Sequence, residues 1–189
     1  MKKIISLFKR DYENGRLVIN EVTPGAEWVI AGEGIATQKF DGTCCMVRDG
    51  QLFKRYDAKK GKTPSVEFEP AQDPDPITGH WPGWLPVSDS NEDKYFREAI
   101  LPDSPYNCGL LDGTYELCGP KIQNNPERLQ SHSLIKHGKV ELSDCPRTFE
   151  ELKTYFRVNC NFIEGVVWHH TDGRMVKLKC KDFGFKRGV

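Results

Sequence analysis

The stretch Ile35-Ala-Thr-Gln-Lys39-Phe-Asp41-Gly42-Thr-Cys-Cys-Met-Val-Arg48-Asp49-Gly50-Gln-Leu-Phe-Lys-Arg55-Tyr56 decides the fold. Ile35 to Lys39 reads as a strand, Asp41-Gly42 as a turn, and Thr43 to Arg48 as an alternating strand. Gln51 to Tyr56 returns after Asp49-Gly50. An Asp-Gly between two alternating runs is the strongest short hairpin signal, because both turn residues must reach positive φ. This reading places Arg55 on the return strand of a hairpin that begins at Lys39.

Working outward, Arg16 to Val22 reads as a short strand ended by Thr23-Pro24-Gly25. Residues 57–90 hold half of the twelve prolines: Pro64, Pro70, Pro74, Pro76, Pro82 and Pro86. Proline removes a ladder donor, so this segment is expected to be a loop, not a central strand. Trp81 and Trp84 within it call for an ordered loop packed on the body. Ser90 to Ile100 reads as a helix capped by Ser90 with Asp93 at the third position. Leu110 to Cys118 reads as a strand, and Ser133 to Leu142 as a strand pair around His137-Gly138. Thr148 with Glu151 reads as a capping box opening a helix through Arg157. Phe162–His169 and Arg174–Lys181 read as two strands joined at Asp172-Gly173. Many strands with two or three helices predict the α+β class with antiparallel sheets.

The chain has 189 residues, a length that suits one domain, and no repeat or boundary divides it. Lys+Arg and Asp+Glu number 27 each, so bulk charge gives no argument for nucleic-acid binding, although a local basic face is compatible with it. Aromatic residues at 11% argue against disorder. No apolar run approaches the roughly 18 residues that span a bilayer. The opening Met1-Lys-Lys-Ile-Ile-Ser-Leu-Phe-Lys9-Arg10 meets charge too soon for a signal peptide. Seven cysteines (Cys44, Cys45, Cys108, Cys118, Cys145, Cys160 and Cys180) are odd in number and lack any C-x-x-C. They read as reduced thiols of a cytoplasmic, reducing compartment, and as a poor zinc site.

Four features carry chemistry. Lys39-Phe-Asp41-Gly42 presents an amine beside a tight turn; alone it also fits a surface lysine. Lys177-Leu-Lys179 places two amines on one strand face, with Val176, Leu178 and Cys180 on the other. Two lysines leaving an apolar strand together require an anion or carboxylates, and Glu164 lies across the same hairpin. A solvated face with cross-strand ion pairing is the alternative. Glu116 sits in the otherwise apolar strand Gly113-Thr-Tyr-Glu-Leu-Cys118, and Arg55 follows on its own strand.

In that order the set resembles the covalent nucleotidyltransferase superfamily of ATP-dependent polynucleotide ligases and mRNA capping enzymes. Tyr115-Glu-Leu-Cys-Gly-Pro-Lys-Ile-Gln123 is similar to the third motif of the second class of phage-type RNA ligases. Lys39-Phe-Asp-Gly-Thr-Cys-Cys45 and Gly79-His-Trp-Pro-Gly-Trp84 resemble a smaller group, the vertebrate-type 5′-to-3′ RNA ligases and their viral and bacterial relatives. The resemblance spans residues 35–181. It implies one adenylation domain over residues 1–189, an ATP-grasp-like nucleotidyltransferase fold with two antiparallel sheets around an ATP cleft and helices outside. Only ten residues follow Lys179, where DNA ligases and capping enzymes carry an oligonucleotide-binding domain.

The resemblance further implies an ATP-dependent RNA ligase acting on 5′-phosphate and 3′-hydroxyl ends, as a monomer without a membrane partner. Lys39 would be the nucleophile that takes AMP from ATP, and Lys177 and Lys179 the cations that clamp the α-phosphate. Glu164, with Glu116 sharing, would hold Mg²⁺ or Mn²⁺. Glu116 would alternatively meet the ribose hydroxyls, and Arg55 the ribose or a 5′-phosphate. Thr37 and Gln38 would meet the adenine edge, while His132, or else Leu134 or an aromatic from elsewhere, would stack on the base. Asp41 is read as a brace of the turn, with a metal role as the alternative. Arg55, Lys59, Lys60, Lys62, Lys181, Lys186 and Arg187 are the candidate RNA contacts. A GTP-dependent capping guanylyltransferase, a DNA nick ligase and a non-catalytic nucleotide- or RNA-binding module are the competing readings.

Overall fold

Alternating apolar residues and Asp-Gly turns produce a chain of short strands in the computed structural model, which describes residues 1–61, 64–100 and 111–188. In chain order the strands are β1 (Ile5–Ser6), β2 (Phe8–Arg10), β3 (Val18–Val22), β4 (Ile35–Lys39), β5 (Thr43–Arg48), β6 (Gln51–Ala58), β7 (Glu69–Pro70), β8 (Trp81–Pro86), β9 (Gly113–Cys118), β10 (Ser133–Lys136), β11 (Gly165–His169) and β12 (Met175–Lys179). The helices are α1 (Glu27–Ile30), α2 (Lys94–Glu98) and α3 (Phe149–Asn159). The class is α+β, mostly sheet. No described helix is long and apolar enough to cross a membrane.

The sequence shows no internal boundary, yet the chain forms two compact units, because each sheet closes over its own apolar cluster. One unit comprises Met1–Lys3 and Gly42–His137, the other Ile4–Asp41 and Gly138–Val189. The first holds a six-stranded antiparallel sheet, β10-β9-β5-β6-β8-β7. Its inner face buries Cys45, Val47, Tyr115, Leu117 and Leu134 with Phe96 and Ala99. The second holds a four-stranded sheet, β1-β12-β11-β4, and the separate pair β2-β3. Trp168, Val166, Val176 and Leu178 pack there with Leu152 and Phe156 of α3. β1 runs parallel to β12, the one exception to the antiparallel expectation among the described pairs.

Three expectations are corrected. Asp41-Gly42 is not a hairpin turn: β4 pairs with β11, while β5 pairs with β6 and β9. Gly42 is needed for close approach instead, since a Cβ there would meet the Leu117 carbonyl oxygen at 2.2 Å. The proline-rich segment does supply a strand, β8, inside the sheet. The Val87 N–H donates to the Leu52 carbonyl, so odd-numbered residues of β8 bond towards β6. Pro82 and Pro86 therefore lose their N–H on the other side, where β7 pairs only Trp84 and Gly83. Finally, residues 139–142 do not return along β10. They run beside β4 through Gln38 N–H to the Val140 carbonyl and Leu142 N–H to the Ala36 carbonyl.

The helix caps also differ from expectation. Ser90 makes no side-chain cap, and α2 is a short helix after a 3-10 turn over Asn91–Asp93. Asp93 is buried and accepts from Lys54 Nζ, Ser88 N and Ser88 Oγ. Thr148 precedes α3, but its hydroxyl donates to the Glu151 carboxylate at 2.6 Å and not to the helix.

Candidate active site

The four-stranded unit gathers the lysines. Gly165 of β11 stands opposite Lys39 of β4 on one side and Lys179 of β12 on the other. The ends of β4 and β12 thus flank β11 in one row. Glycine is required at the centre, since a Cβ at Gly165 would meet the Leu178 carbonyl oxygen at 2.2 Å. Glu164, immediately before, sends its carboxylate between the two amines. Lys39 Nζ donates to Glu164 Oε2 at 2.5 Å, and Lys179 Nζ donates to Glu164 Oε1. Lys39 Nζ also donates to the Phe40 carbonyl at 3.2 Å.

Glu164 is 12% exposed. Burial alone would raise its pKa, but the charges and hydrogen bonds of Lys39 and Lys179 outweigh it and hold the carboxyl below its ordinary value. Asp41 shows the opposite balance. Burial and the Glu164 charge raise its pKa, against Lys39, Lys179 and Arg187. The two carboxyls are thus shifted in opposite directions, Glu164 by its lysine partners and Asp41 by burial and by Glu164.

Lys177 lies one row along, opposite Val167, which in turn faces Thr37 of β4. Its pKa is lowered to about 8, first by burial, then by Lys179 and Lys39. A depressed lysine destabilises the fold. Below pH 8 it is protonated in both folded and unfolded states, so the full cost of burying the ammonium is present. As pH rises from about 8 towards the unfolded value near 10.4, the folded chain has already released its proton and the cost fades. Lys177→Met should therefore raise stability at pH 7 by about 1–2 kcal/mol. Urea unfolding at pH 7 and pH 10 checks this; a gain of equal size at both values would show that packing, not charge, is responsible.

The pleat separates Thr37 from Gln38. Thr37 shares the Lys39 face, is buried, and donates from Oγ1 to the Val167 carbonyl at 3.1 Å. Gln38 is in the row of Val166 and Leu178, two residues of the apolar core, and so points to the other face. The pairing of both with one adenine edge does not follow from this strand.

The remaining candidates belong to the six-stranded unit. Glu116 is buried on β9, opposite Cys44 of β5 and Ile135 of β10. His137 Nε2 lies 2.8 Å from Glu116 Oε2, and its Nδ1 lies 3.0 Å from Thr114 Oγ1. No sequence motif marks His137 as functional. Its signal is faint, a histidine placed just past a strand whose partner carries a buried glutamate. Arg55 lies over the buried ring of Trp84 at 5.0 Å and donates to the Met1 carbonyl at 2.7 Å. Burial lowers its pKa, with the cation partly sheltered from water.

His132 is enclosed. It stacks on Tyr95 with centroids 4.5 Å apart, pairs through Nδ1 with Glu98 at 2.8 Å, and takes the Lys121 N–H at 3.3 Å. Leu134 is part of the apolar core of that unit. Lys59, Lys60, Lys181 and Lys186 are exposed. Arg187 donates to the Phe162 carbonyl at 3.0 Å, and Lys62 lies outside the described residues. Among the six described cysteines, Cys45, Cys118 and Cys180 are buried; Cys108 lies outside the described residues.

Comparison with known proteins agrees with the motif reading. A family model described as RNA ligase 1 matches residues 105–189, the part that carries Glu116, Glu164, Lys177 and Lys179. The chain is 25% identical to RNA ligase 1 of Danio rerio, across 94% of its own length and 76% of that protein. It is 27% identical to RNA ligase 1 of Pongo abelii and 28% identical to that of Mus musculus, each across 76% of the chain. The chain spans 65% of the length of these two relatives. By these matches the chain is similar to RNA ligases. The proteins it matches here are RNA ligase 1 proteins.

Proposed function

We propose that the protein is an ATP-dependent RNA ligase that works through a lysyl-AMP intermediate on a nucleotidyltransferase fold. The observation that carries this reading is the Lys39–Glu164–Lys179 cluster, with Lys177 beside it on the same sheet face. An acceptor amine, two further cations and one ionised carboxylate are what transfer of a nucleotidyl group requires.

The Lys39 amine attacks the α-phosphorus of ATP, a P–N bond forms, the bond to the bridging oxygen breaks, and pyrophosphate leaves. An oxygen of an RNA 5′-phosphate then attacks the same phosphorus and Lys39 leaves. Finally a 3′-hydroxyl attacks the RNA 5′-phosphate, loses its proton, and expels AMP. Lys177 and Lys179 clamp the phosphate oxygens as charge builds on them. Lys179 and Lys39 both add to the lowering of the Lys177 pKa, and cations close by favour the uncharged amine that Lys39 needs to act as a nucleophile.

The donor set fits a hard divalent ion. Glu164 stays ionised, and Asp41 is near enough to feel its charge. These oxygens would hold Mg²⁺ or Mn²⁺, which would neutralise phosphate charge and favour the uncharged amine. The motif resemblance assigns Glu116 to the ribose hydroxyls and Arg55 to the ribose or a 5′-phosphate, and those roles form part of the proposal.

The test is the intact-protein mass after stripping bound nucleotide and incubating with ATP or GTP plus Mg²⁺. One added AMP from ATP is the expected result, followed by joining of RNA ends in preference to a DNA nick. One added GMP from GTP would move the reading to capping chemistry. No adduct with either would leave a binding module.

A further inference from the structure

The sequence spacing of cysteine and histidine gives no zinc motif, yet the sheet register of the six-stranded unit builds a mixed donor cluster. Cys44 and Glu116 are direct cross-strand partners on β5 and β9. His137 continues the ladder of β10, its N–H bonded to the Thr114 carbonyl at 3.0 Å, which sets it diagonal to Glu116 on the same face. The opposite face carries Cys45, Tyr115 and Leu117 into the apolar core, so alternation alone turns Cys44, Glu116 and His137 to one side. The thiol, one carboxylate oxygen and one ring nitrogen all lie within 4.8 Å of one another.

We propose that Cys44, Glu116 and His137 bind a borderline-soft divalent transition ion, with zinc the best fit, leaving one position open. Thiolate, imidazole and carboxylate together are the donors that zinc selects, whereas Mg²⁺ has no use for a sulfur ligand. Donors around tetrahedral zinc stand about 3.3–3.6 Å apart, so His137 Nε2 and Glu116 Oε2, now 2.8 Å apart, need only open slightly. His137 is already prepared for the task. Thr114 Oγ1 engages Nδ1 at 3.0 Å and leaves Nε2 aimed into the cluster, the arrangement that holds a ligating imidazole in position. Glu116 is buried while Cys44 and His137 are half-buried, so an ion has a way in. Cationic neighbours suit a thiolate: the Arg55 guanidinium and the Met1 amine both interact electrostatically with Cys44. On ligation the Cys44 thiol releases its proton to solvent, so affinity rises with pH. Glu116 is shared with the ribose role proposed above, so an ion and a nucleotide would compete for it; the readout here is metal binding and not turnover, so it can fail while the ligase reading stands.

The experiment uses the full, reduced, metal-free chain titrated with Co²⁺ and then Zn²⁺ against a chromogenic chelator. One ion per chain is expected, with a near-ultraviolet thiolate-to-cobalt band and the intense visible bands of a four-coordinate ion. Zn²⁺ should displace the cobalt, and excess Mg²⁺ should not. Cys44→Ser should erase the thiolate band. His137→Ala should keep that band and weaken zinc binding about tenfold or more, and Thr114→Val should do so to a smaller extent. A thiolate band that survives in Cys44→Ser would place the ion on other cysteines and overturn the assignment. Zinc affinity unchanged in folded His137→Ala, or no zinc retained against the chelator by the parent chain, would overturn it equally.

Discussion

Lys39→Arg leaves the protein folded and removes the covalent nucleotide adduct, a loss of about 10³-fold or more in adenylylation. Arginine is the instructive replacement. Its guanidinium can keep an ion pair with Glu164, so the electrostatics of the cluster survive, but it does not lose its proton at any working pH and cannot attack phosphorus. Lys39→Ala should give the same loss of adduct for a second reason, the missing nitrogen. The two variants differ in stability: alanine leaves Glu164 with Lys179 alone among its two direct partners. The measurement is intact mass with ATP and Mg²⁺, beside a thermal unfolding curve. An RNA end already carrying AMP should still be sealed by both variants, since the last step uses a 3′-hydroxyl as nucleophile. An adduct of undiminished yield in Lys39→Arg would remove Lys39 from the role of acceptor.

The fold was legible where signals are local. The run from Ile35 to Ala58 shows its strand limits through alternation and through Asp49-Gly50, whose φ values of 52° and 73° are the positive pair a tight hairpin needs. Sheet pairing was not legible, because a turn dipeptide does not say whether the next strand folds back or departs. Asp41-Gly42 has hairpin chemistry yet connects two different sheets. β8 was hidden because the proline rule concerns which side of a strand loses its donor, and a sequence does not reveal that side. β1 and β2, two and three residues long, are too short to show any period.

The candidate site divides along the same line. Glu164, Lys177 and Lys179 lie within one hairpin, and period two alone put the lysines on a common face. The Lys39–Glu164 contact joins residues 125 apart in sequence, so only the order of motifs hinted at it. Cys44, Glu116 and His137 are scattered in the same way and come together only through register. Thr37 and Gln38 are adjacent in sequence, but the pleat turns their side chains to opposite faces of β4.

Glu164→Gln separates the two tasks a carboxylate can perform between Lys39 and Lys179. If Glu164 only neutralises the amines, its loss leaves three neighbouring lysines without their central counterion. Mutual repulsion then lowers the proton affinity of Lys39, and the amine becomes easier to use. Adenylylation would hold or rise at neutral pH, and its dependence on Mg²⁺ would not change. If Glu164 holds the metal, the glutamine cannot replace it, and adenylylation falls about 10²-fold or more with a higher metal requirement. The second outcome is expected, because both carboxylate oxygens face the lysine cluster, where an ion bound with the phosphates would meet them. Stability adds an independent check. The folded pKa of Glu164 lies below its unfolded value near 4.3, so the ionised carboxylate stabilises the fold fully above that pH, and the contribution is lost as pH falls through the folded value. Glu164→Gln should cost about 2–4 kcal/mol at pH 7 and less at pH 3, below the unfolded carboxyl pKa, where the ionised form no longer contributes in full. Urea titrations at the two pH values, paired with Mg²⁺ titrations of adduct formation, give the answer. An unaltered metal titration with the full acid-dependent stability difference would leave Glu164 as a counterion and move the metal to Asp41 or beyond.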